Sequence, residues 1–369
     1  MLKKSFLLVF AVLCACQPAV RVSPTKEFAL QPISFGQISG WKSDSFREVL
    51  PALEASCQKP SAVWKNFCSG LEGLKKASDS ALRKYLERNL TPYQVYSYGQ
   101  KDGTFTGYYE VAMKGSLTPS DKHTVPIYGM PDDIVAVDLK DFNISADKMQ
   151  FVARVENGKL VPYFSREELE NQIVYAQPLL WIDDPVDAFL LHIQGSGRVE
   201  TQDGVIHIGY AGNNGHTFVG IGSLMKQAGF LEGAASMPAI RDWLKKNPEK
   251  AKEVMAKNPR YIFFKILPAD AGGPLGAMGV PLTAERSLAV DTRFIPLGTP
   301  LFLNTVTPNG KKIAQLVVAQ DVGSAIKGPI RGDFFWGYGE DAFQNAGRMK
   351  STGSYVLLWP KGQTPPPEK

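Results

Sequence analysis

The sequence predicts a mainly β fold with helical additions, of the α+β class, in two domains. After about residue 90 the chain is dominated by runs of aromatic and β-branched residues with Gly at their breaks, which are typical of strands. Roughly the last hundred residues show no strand–helix alternation, which argues against a doubly wound parallel sheet and favours a compact β-barrel. The 369 residues, 44% of them hydrophobic, suffice for a large core.

The first residues have the pattern of a secretory signal. Two lysines precede an apolar run at residues 6–12, which is too short to span a membrane as a helix. Leu13-Cys14-Ala15-Cys16 then resembles the lipobox of bacterial lipoproteins, whose cysteine is acylated and becomes the mature N-terminus. We therefore expect residues 1–15 to be a signal peptide and Cys16 to carry lipid. An ordinary cleaved signal is the alternative.

The residue after the lipobox and the net charge indicate a place in the cell envelope. Gln17 follows the cysteine instead of Asp, so the usual inner-membrane retention signal is missing and we expect the outer membrane, facing the periplasm. Removal of the two signal lysines lowers the formal net charge from +5 to +3. A mildly basic surface suits an anionic polymer such as the cell wall, but it is too weak and too scattered for nucleic acid.

Two further cysteines can pair in such an oxidising compartment. Cys57 and Cys68 each follow apolar residues at helical spacing, and the QKPSA segment between them reads as a turn. The two thiols therefore meet if the segment forms a helical hairpin. Two separately buried free thiols remain the alternative.

The residue patterns divide the mature chain into four parts. Residues 16–104 form an N-terminal, mainly helical part, and residues 105–260 combine strand candidates with a helical block. Residues 261–360 return to strands. Residues 361–369 contain three consecutive prolines, which indicate an extended, disordered tail.

Three aspartates in the strand-rich C-terminal part are candidates for chemistry. Asp291 and Asp321 each follow a hydrophobic run, which places them at strand ends, and Asp333 lies in Arg331-Gly332-Asp333. Asp is disfavoured in strands, so an Asp in this position indicates either a turn or a functional site. Taken singly, each residue is better explained by a turn.

The three aspartate motifs together resemble the 3D domain, named for its three aspartates, of the membrane-bound lytic murein transglycosylase A family. Five further motifs occur in the order of that family, between about residues 91 and 350. They are Phe105-Thr106-Gly107-Tyr108-Tyr109, Val125-Pro126-Ile127-Tyr128, Gln194-Gly195-Ser196-Gly197, Gly209-Tyr210-Ala211-Gly212-Asn213-Asn214-Gly215-His216 and Phe263-Phe264-Lys265.

The resemblance implies a fold and an activity. The fold is a double-psi β-barrel domain (residues 261–360 with the N-terminal part) into which a second β-barrel domain (105–260) is inserted, with a glycan groove between them. The activity is that of a peptidoglycan lytic exotransglycosylase of the lyase type, without a cofactor. Its partners are glycan strands and outer-membrane lipid; partners in a wall-growth complex remain open. A non-catalytic peptidoglycan-binding lipoprotein and a peptide hydrolase are the alternatives.

The resemblance also assigns roles to residues. Asp333 matches the family's catalytic aspartate, Asp321 lies beside it, and Asp291 is supporting. Burial and a second carboxylate raise a carboxyl pKa, which suits an acid that must hold its proton. Lys327 favours the charged form of Asp321. Donors, acceptors and aromatic faces for sugars are expected at Thr106, Tyr108, Gln194, Ser196, Tyr210, Asn213, His216 and Trp336. For all of these but Trp336, a structural role is the alternative. Phe334 and Phe335 are expected in the core.

Other chemistry finds little support. Gly273, Gly276 and Gly279 make a glycine-rich loop, but no Gly-Lys-Ser/Thr follows it, so phosphate binding is not expected. His207 and His216 are too few and wrongly spaced for a zinc site, so no metal is expected.

Overall fold

The computed structural model describes residues 24–144, 150–171, 176–269 and 272–369. The predicted signal peptide and Cys16 lie outside the described residues. Strands prevail over helices in these ranges, which confirms the predicted mainly β, α+β class. No helix that they contain has the length and hydropathy needed to cross a bilayer.

The elements are numbered in chain order. The strands are β1 (Ala29–Pro32), β2 (Leu90–Tyr96), β3 (Gly103–Ser116), β4 (Val125–Tyr128), β5 (Val135–Asp138), β6 (Gln150–Glu156), β7 (Lys159–Pro162), β8 (Pro178–Ile182), β9 (Ser196–Thr201), β10 (Gly204–Asn213), β11 (Ile262–Ile266), β12 (Ser287–Val290), β13 (Pro300–Val306), β14 (Lys312–Asp321), β15 (Arg331–Tyr338) and β16 (Lys350–Pro360). The helices are α1 (Phe46–Cys57), α2 (Lys65–Leu71), α3 (Asp79–Asn89), α4 (Arg166–Asn171), α5 (Pro185–Gln194), α6 (Ile221–Gln227), α7 (Met237–Lys246), α8 (Pro248–Ala256) and α9 (Glu340–Arg348).

The main domain is a closed six-stranded barrel. β3, β16, β13, β14, β12 and β15 pair in this order, and β15 pairs again with β3. The β12–β14 and β15–β3 pairs are parallel, and the other pairs are antiparallel. Leu288, Phe302, Val317 and Leu357 fill its core. This confirms the predicted barrel in the C-terminal part.

The second domain is inserted where β3 leaves the barrel. Residues 104–107 of β3 pair with β15, and Val111–Lys114 of the same strand pair with β9. The sheet of the second domain runs β4-β8-β3-β9-β10-β11, and β11 contacts β4, so the sheet curls around its own core. Because one continuous strand serves both sheets, it fixes the position of one domain against the other.

Three helices from the N-terminal part cover the barrel. Phe46, Val49 and Leu53 of α1 are buried against it. Cys57 at the end of α1 forms a disulfide with Cys68 of α2, with 5.3 Å between the Cα atoms, so the predicted pairing is confirmed. Residues 16–104 are not wholly helical, however. β1 and β2 extend the barrel sheet through β16, because the apolar alternation at residues 90–96 is that of a strand.

The C-terminal segment is ordered against the protein, so the predicted disordered tail is wrong. Phe28 and Lys369 exchange two backbone hydrogen bonds of 3.0 Å, and Trp359 Nε1 donates to the Thr364 carbonyl at 2.9 Å. Proline lacks an N–H donor, but the carbonyl of Thr364 before the three prolines and the N–H and carbonyl of Lys369 after them supply the pairing.

Candidate active site

Two of the three aspartates lie in one row across four barrel strands. In the strand registers Thr106 of β3 is opposite Asp333 of β15, Asp333 is opposite Ala289 of β12, and Ala289 is opposite Asp321 of β14. Opposed residues share a face of the sheet, and neighbouring strands lie about 4.8 Å apart. The Cα atoms of Asp321 and Asp333 are therefore roughly 10 Å apart, with the small Ala289 side chain between them.

Asp333 holds its proton more firmly than an ordinary aspartate. Burial raises its pKa to about 6, and the nearby charge of Asp321 adds to the effect. Two groups act in the opposite direction. The Thr106 hydroxyl donates a hydrogen bond to Asp333 Oδ1, and the positive charge of Arg331 favours the carboxylate. The balance leaves a carboxyl group that can both give and take a proton near neutral pH.

Arg331 determines the direction of the Thr106 hydroxyl. Arg331 Nη2 donates to Thr106 Oγ1 at 2.8 Å, so the hydroxyl proton must point away from the guanidinium, towards Asp333. Oδ1 of Asp333 is therefore held as an acceptor, which leaves Oδ2 to carry the proton. Arg331 was not predicted as a site residue, although it lies two residues before Asp333.

Asp321 is held by three donors. Its Oδ1 accepts the backbone N–H groups of Ala277 and Val322, both at 2.9 Å, and its Oδ2 accepts the Tyr108 hydroxyl at 3.0 Å. Burial raises its pKa, and these hydrogen bonds oppose the rise. Lys327 was predicted to favour the charged form of Asp321. It is exposed and is not among the groups that shift the pKa of Asp321, and the three hydrogen bonds have that effect instead.

The glycine-rich loop thus has a use that its sequence pattern did not suggest. It brings the Ala277 N–H to Asp321, and it does so by close packing. A Cβ on Gly276 would lie 2.5 Å from the Gln320 carbonyl oxygen. Glycine is therefore required for this approach.

Asp291 belongs to a different setting. Burial alone would raise its pKa, but hydrogen bonds from Arg293 and the Gly328 N–H outweigh burial and lower the pKa. The Arg293 guanidinium lies 2.6 Å from Oδ2, and the Gly328 N–H lies 2.8 Å from the same oxygen. Asp291 thereby ties the loop after β14 to the end of β12, which fits its predicted supporting role.

A groove of about 590 Å³ lies between the two domains beside Asp321. Tyr108 lines it from the barrel, and Gln194, Ser196 and Tyr210 line it from the inserted domain. Four of the predicted sugar-contacting residues therefore do face one groove. Arg260 and Lys265 line it as well, and neither was predicted as a site residue.

The remaining predicted contacts lie elsewhere. Thr106 acts on Asp333 through its hydroxyl group, as described above. Asn213 Nδ2 donates to the Tyr210 hydroxyl at 2.6 Å, and His216 Nε2 lies 2.7 Å from the Tyr163 carbonyl oxygen. Neither lines the groove, so their roles are to brace the loop after β10.

Trp336 is misassigned as a sugar platform. Its ring packs at 5.0 Å on the ring of Phe334, which belongs to the barrel core, and it lies against both domain cores. Side chains alternate along β15, so Trp336 and Asp333 lie on opposite faces. The predicted core role of Phe334 and Phe335 is confirmed, since both are buried.

The site contains two carboxyl groups, Asp321 and Asp333, and the hydrogen-bond donors that hold them. Within the described ranges, no group of three or more His, Cys, Asp or Glu side chains is placed to hold a metal ion. Two neighbouring carboxyl groups with raised pKa, one of them lining a groove between two β domains, are the arrangement of a site for acid–base chemistry.

Comparison with known proteins gives the family. The model of the MltA specific insert domain matches residues 104–265, and the model of the 3D domain matches residues 286–359. Membrane-bound lytic murein transglycosylase A of Escherichia coli K12 is 32% identical over 264 residues, which cover 69% of this chain and 65% of the relative, slightly less than two thirds of its length.

Two solved structures agree. MltA from Neisseria gonorrhoeae is 36% identical, with a TM-score of 0.82 and coverage of 92% of this chain and 94% of that one. Escherichia coli MltA with bound chitohexaose is 25% identical, with a TM-score of 0.67 and coverage of 93% and 96%. The chain belongs to the membrane-bound lytic murein transglycosylase A family.

Proposed function

We propose that this protein is a lytic transglycosylase that cleaves the β-1,4 bond between N-acetylmuramic acid and N-acetylglucosamine in peptidoglycan. The observation that carries the proposal is the raised pKa of Asp333, about 6, in the row of side chains that leads to the interdomain groove. Cleavage of a glycosidic bond needs a carboxylic acid that still holds its proton, and at pH 7 such a group is protonated in about one molecule in ten.

Asp333 acts first as an acid and then as a base. Its Oδ2 gives a proton to the oxygen of the leaving N-acetylglucosamine as the bond from that oxygen to C1 of muramic acid breaks. The resulting carboxylate takes the proton from the C6 hydroxyl of the same muramic acid, whose oxygen forms a bond to C1. The carboxyl group ends in its starting state, and the product carries a 1,6-anhydro ring. An attached hydroxyl competes well with water, because effective molarities reach about 10⁵ to 10⁸ M.

The contacts of Asp321 support ring closure over hydrolysis. A hydrolase needs a second carboxylate that is free to attack C1 or to activate water. Both oxygens of Asp321 already accept hydrogen bonds, from Tyr108 and from the Ala277 and Val322 N–H groups. We therefore assign Asp321 the role of tuning Asp333 through its charge.

Binding of glycan strands in the groove is part of the proposal. The relative from Escherichia coli was solved with bound chitohexaose, and this chain covers 96% of it. The groove offers Gln194, Ser196 and Tyr210 as hydrogen-bonding groups for hydroxyl and N-acetyl groups.

Digestion of purified sacculi tests the activity. We expect soluble muropeptides with 1,6-anhydromuramic acid ends, each one water lighter in the mass spectrum than a hydrolytic product. Reducing muramic acid ends would contradict the transglycosylase, and no release at all would favour a non-catalytic wall-binding lipoprotein. The exo mode that the family implies predicts disaccharide units from the first time points, whereas endo cleavage gives long fragments first.

We propose further that Cys16 anchors the protein in the outer membrane. The Leu13-Cys14-Ala15-Cys16 motif supports this, and the curated relative is itself named membrane-bound. Each buried CH₂ of an acyl chain adds about 0.8 kcal/mol to membrane binding. Cys16→Ala is expected to move the protein to the soluble periplasmic fraction. If the variant stays in the membrane fraction, the anchor is elsewhere.

A further inference from the structure

A second cavity, as large as the groove, lies in the inserted domain. It has a volume of about 600 Å³. One wall is a face of α5 that presents Pro185, Ala188, Phe189 and His192 at helical spacing. Leu244 of α7 lines it from the other side. The mechanism described above makes no use of it.

His192 joins this cavity to the groove. It is the last of the four α5 residues, and its side chain lines both spaces. It is only 7% exposed, so it forms the partition between them. A ligand in the groove that contacts His192 therefore lies next to the residue that separates the groove from the second cavity.

The partition carries an unused hydrogen-bond donor. His192 Nδ1 accepts the Ile262 N–H at 3.0 Å, so the proton of the neutral ring must be on Nε2. Burial and the nearby Arg166 charge hold the pKa of His192 well below its ordinary value, which keeps the ring neutral. Across the described residues Nε2 has no hydrogen-bond partner. An N–H of this kind, on a residue that lines the cavity, favours a ligand that brings an acceptor oxygen.

Arg166 adds to this donor character. It is 1% exposed and lines the cavity, with its guanidinium packed over the rings of Phe189 and Tyr261. Three of its five N–H groups donate to the Asn258 carbonyl, the Arg260 carbonyl and Glu170. The inner end of the cavity thus combines N–H donors with apolar ring faces.

The mouth carries charges of both signs. Asp183 and Lys252 are exposed lining residues. Lys252 donates to the Asn171 side-chain oxygen at 2.7 Å, which leaves its charge without an acidic partner in the described part of the chain. Asp183 likewise has no ion pair there. A ligand with both a carboxylate and an amine matches this rim.

We propose that the cavity binds the short peptide that branches from the muramic acid residue held in the groove. This rests on the proposed function, which puts the glycan strand in the groove that His192 also lines. Peptide carbonyl and carboxylate oxygens accept hydrogen bonds from His192 and Arg166 at the inner end. Small apolar side chains pack on Phe189 and Leu244, and the charged groups of the peptide meet Asp183 and Lys252. The cavity would make the protein prefer glycan strands that carry their peptides.

Two preparations from one batch of sacculi test this. An amidase removes the peptides from half of the material and yields peptide-free strands and free peptides. We expect wild-type kcat/KM to be about fivefold higher on peptide-bearing strands, the size of a favourable exposed charge contact. Lys252→Glu and Asp183→Lys should each remove most of that preference and leave turnover of peptide-free strands unchanged.

The matched control is Lys226→Glu, at an exposed lysine on α6 that lines neither space. It should keep the wild-type preference. Equal wild-type turnover of both strands, or equal losses on both in the rim variants, would overturn the proposal. If wild type cleaves neither strand, the proposed function fails. Peptide binding by the cavity is then tested by titrating the free peptides into ¹⁵N-histidine-labelled protein. A shift of the His192 Nε2 signal supports peptide binding, and an unchanged signal refutes it.

Discussion

Asp291 and Asp333 lie in two regions of one barrel, and their pKa values move in opposite directions. Burial acts to raise the pKa of both carboxyl groups. At the end of β12, Asp291 receives a guanidinium and two backbone N–H groups as donors, and its pKa falls. In β15, Asp333 receives one hydroxyl, and its pKa rises to about 6. Asp321 also accepts three hydrogen bonds, yet its pKa is raised, so the number of donors does not decide the direction. A guanidinium bonded directly to the carboxylate distinguishes Asp291 from the two carboxyl groups whose pKa rises.

Asp333→Asn should have the largest effect. The amide has nearly the same shape but cannot transfer a proton, so kcat should fall about 10²- to 10⁴-fold. The thermal unfolding curve should stay close to that of wild type, because Thr106 still has an acceptor. Release of anhydromuropeptides measures the rate. Near-native turnover would mean that the acid is elsewhere, with Asp321 the next candidate.

Asp291→Asn should give the converse result. It removes charge-assisted hydrogen bonds that the exposed Arg293 and the Gly328 N–H make, which should lower the free energy of unfolding by about 1 to 2 kcal/mol. Turnover per folded molecule should be retained. Because the native pKa of Asp291 is lowered, its stabilising contribution is complete above the unfolded value of about 3.9 and is lost as the pH falls through the native one. Urea unfolding at pH 7 and at low pH measures this, and a pH-independent difference would contradict it.

Asp321→Asn should shift the pH dependence of the reaction. The charge of Asp321 raises the pKa of Asp333, so its removal lowers that pKa. The decline of kcat/KM with rising pH should then begin at lower pH than in wild type. The difference in kcat/KM between the variant and wild type should become smaller at acidic pH. A profile that keeps its position would show that the two carboxyl groups are not coupled.

Thr106→Val should have the smallest effect on the rate, and it should shift the pH dependence in the opposite direction to Asp321→Asn. The valine keeps the shape of threonine but cannot donate to Asp333, so the pKa of Asp333 should rise further and the decline should begin at higher pH. The rate should fall only severalfold, the size of one hydrogen bond of about 1 kcal/mol. A shift in the same direction as that of Asp321→Asn would show that the hydroxyl acts in another way.

Several features of the site could be predicted from the sequence. Asp321 and Asp333 come together because each belongs to a strand that pairs with β12, and the motifs gave both residues. The disulfide followed from two helical runs and one turn. Gln194, Ser196 and Tyr210 reach the groove as expected.

Other features depend on contacts that a sequence does not display. The Ala277 N–H reaches Asp321 from 44 residues away, through a glycine-rich loop to which the sequence pattern assigned no use. The order of the tail depends on its pairing with Phe28 at the other end of the described chain. The position of Trp336, in contrast, could have been predicted from the sequence. Alternation along β15 already separates it from Asp333.

Direct titration of the aspartates by ¹³C NMR tests the central claim most directly. Carboxyl-labelled protein would be followed from about pH 2 to pH 8, with Asp333→Asn and Asp291→Asn used to assign the two signals. The structure predicts a pKa of about 6 for Asp333 and a value below the ordinary 3.9 for Asp291. If Asp333 titrates at or below its ordinary value, it is ionised at neutral pH and cannot serve as the acid, and the proposed mechanism is wrong.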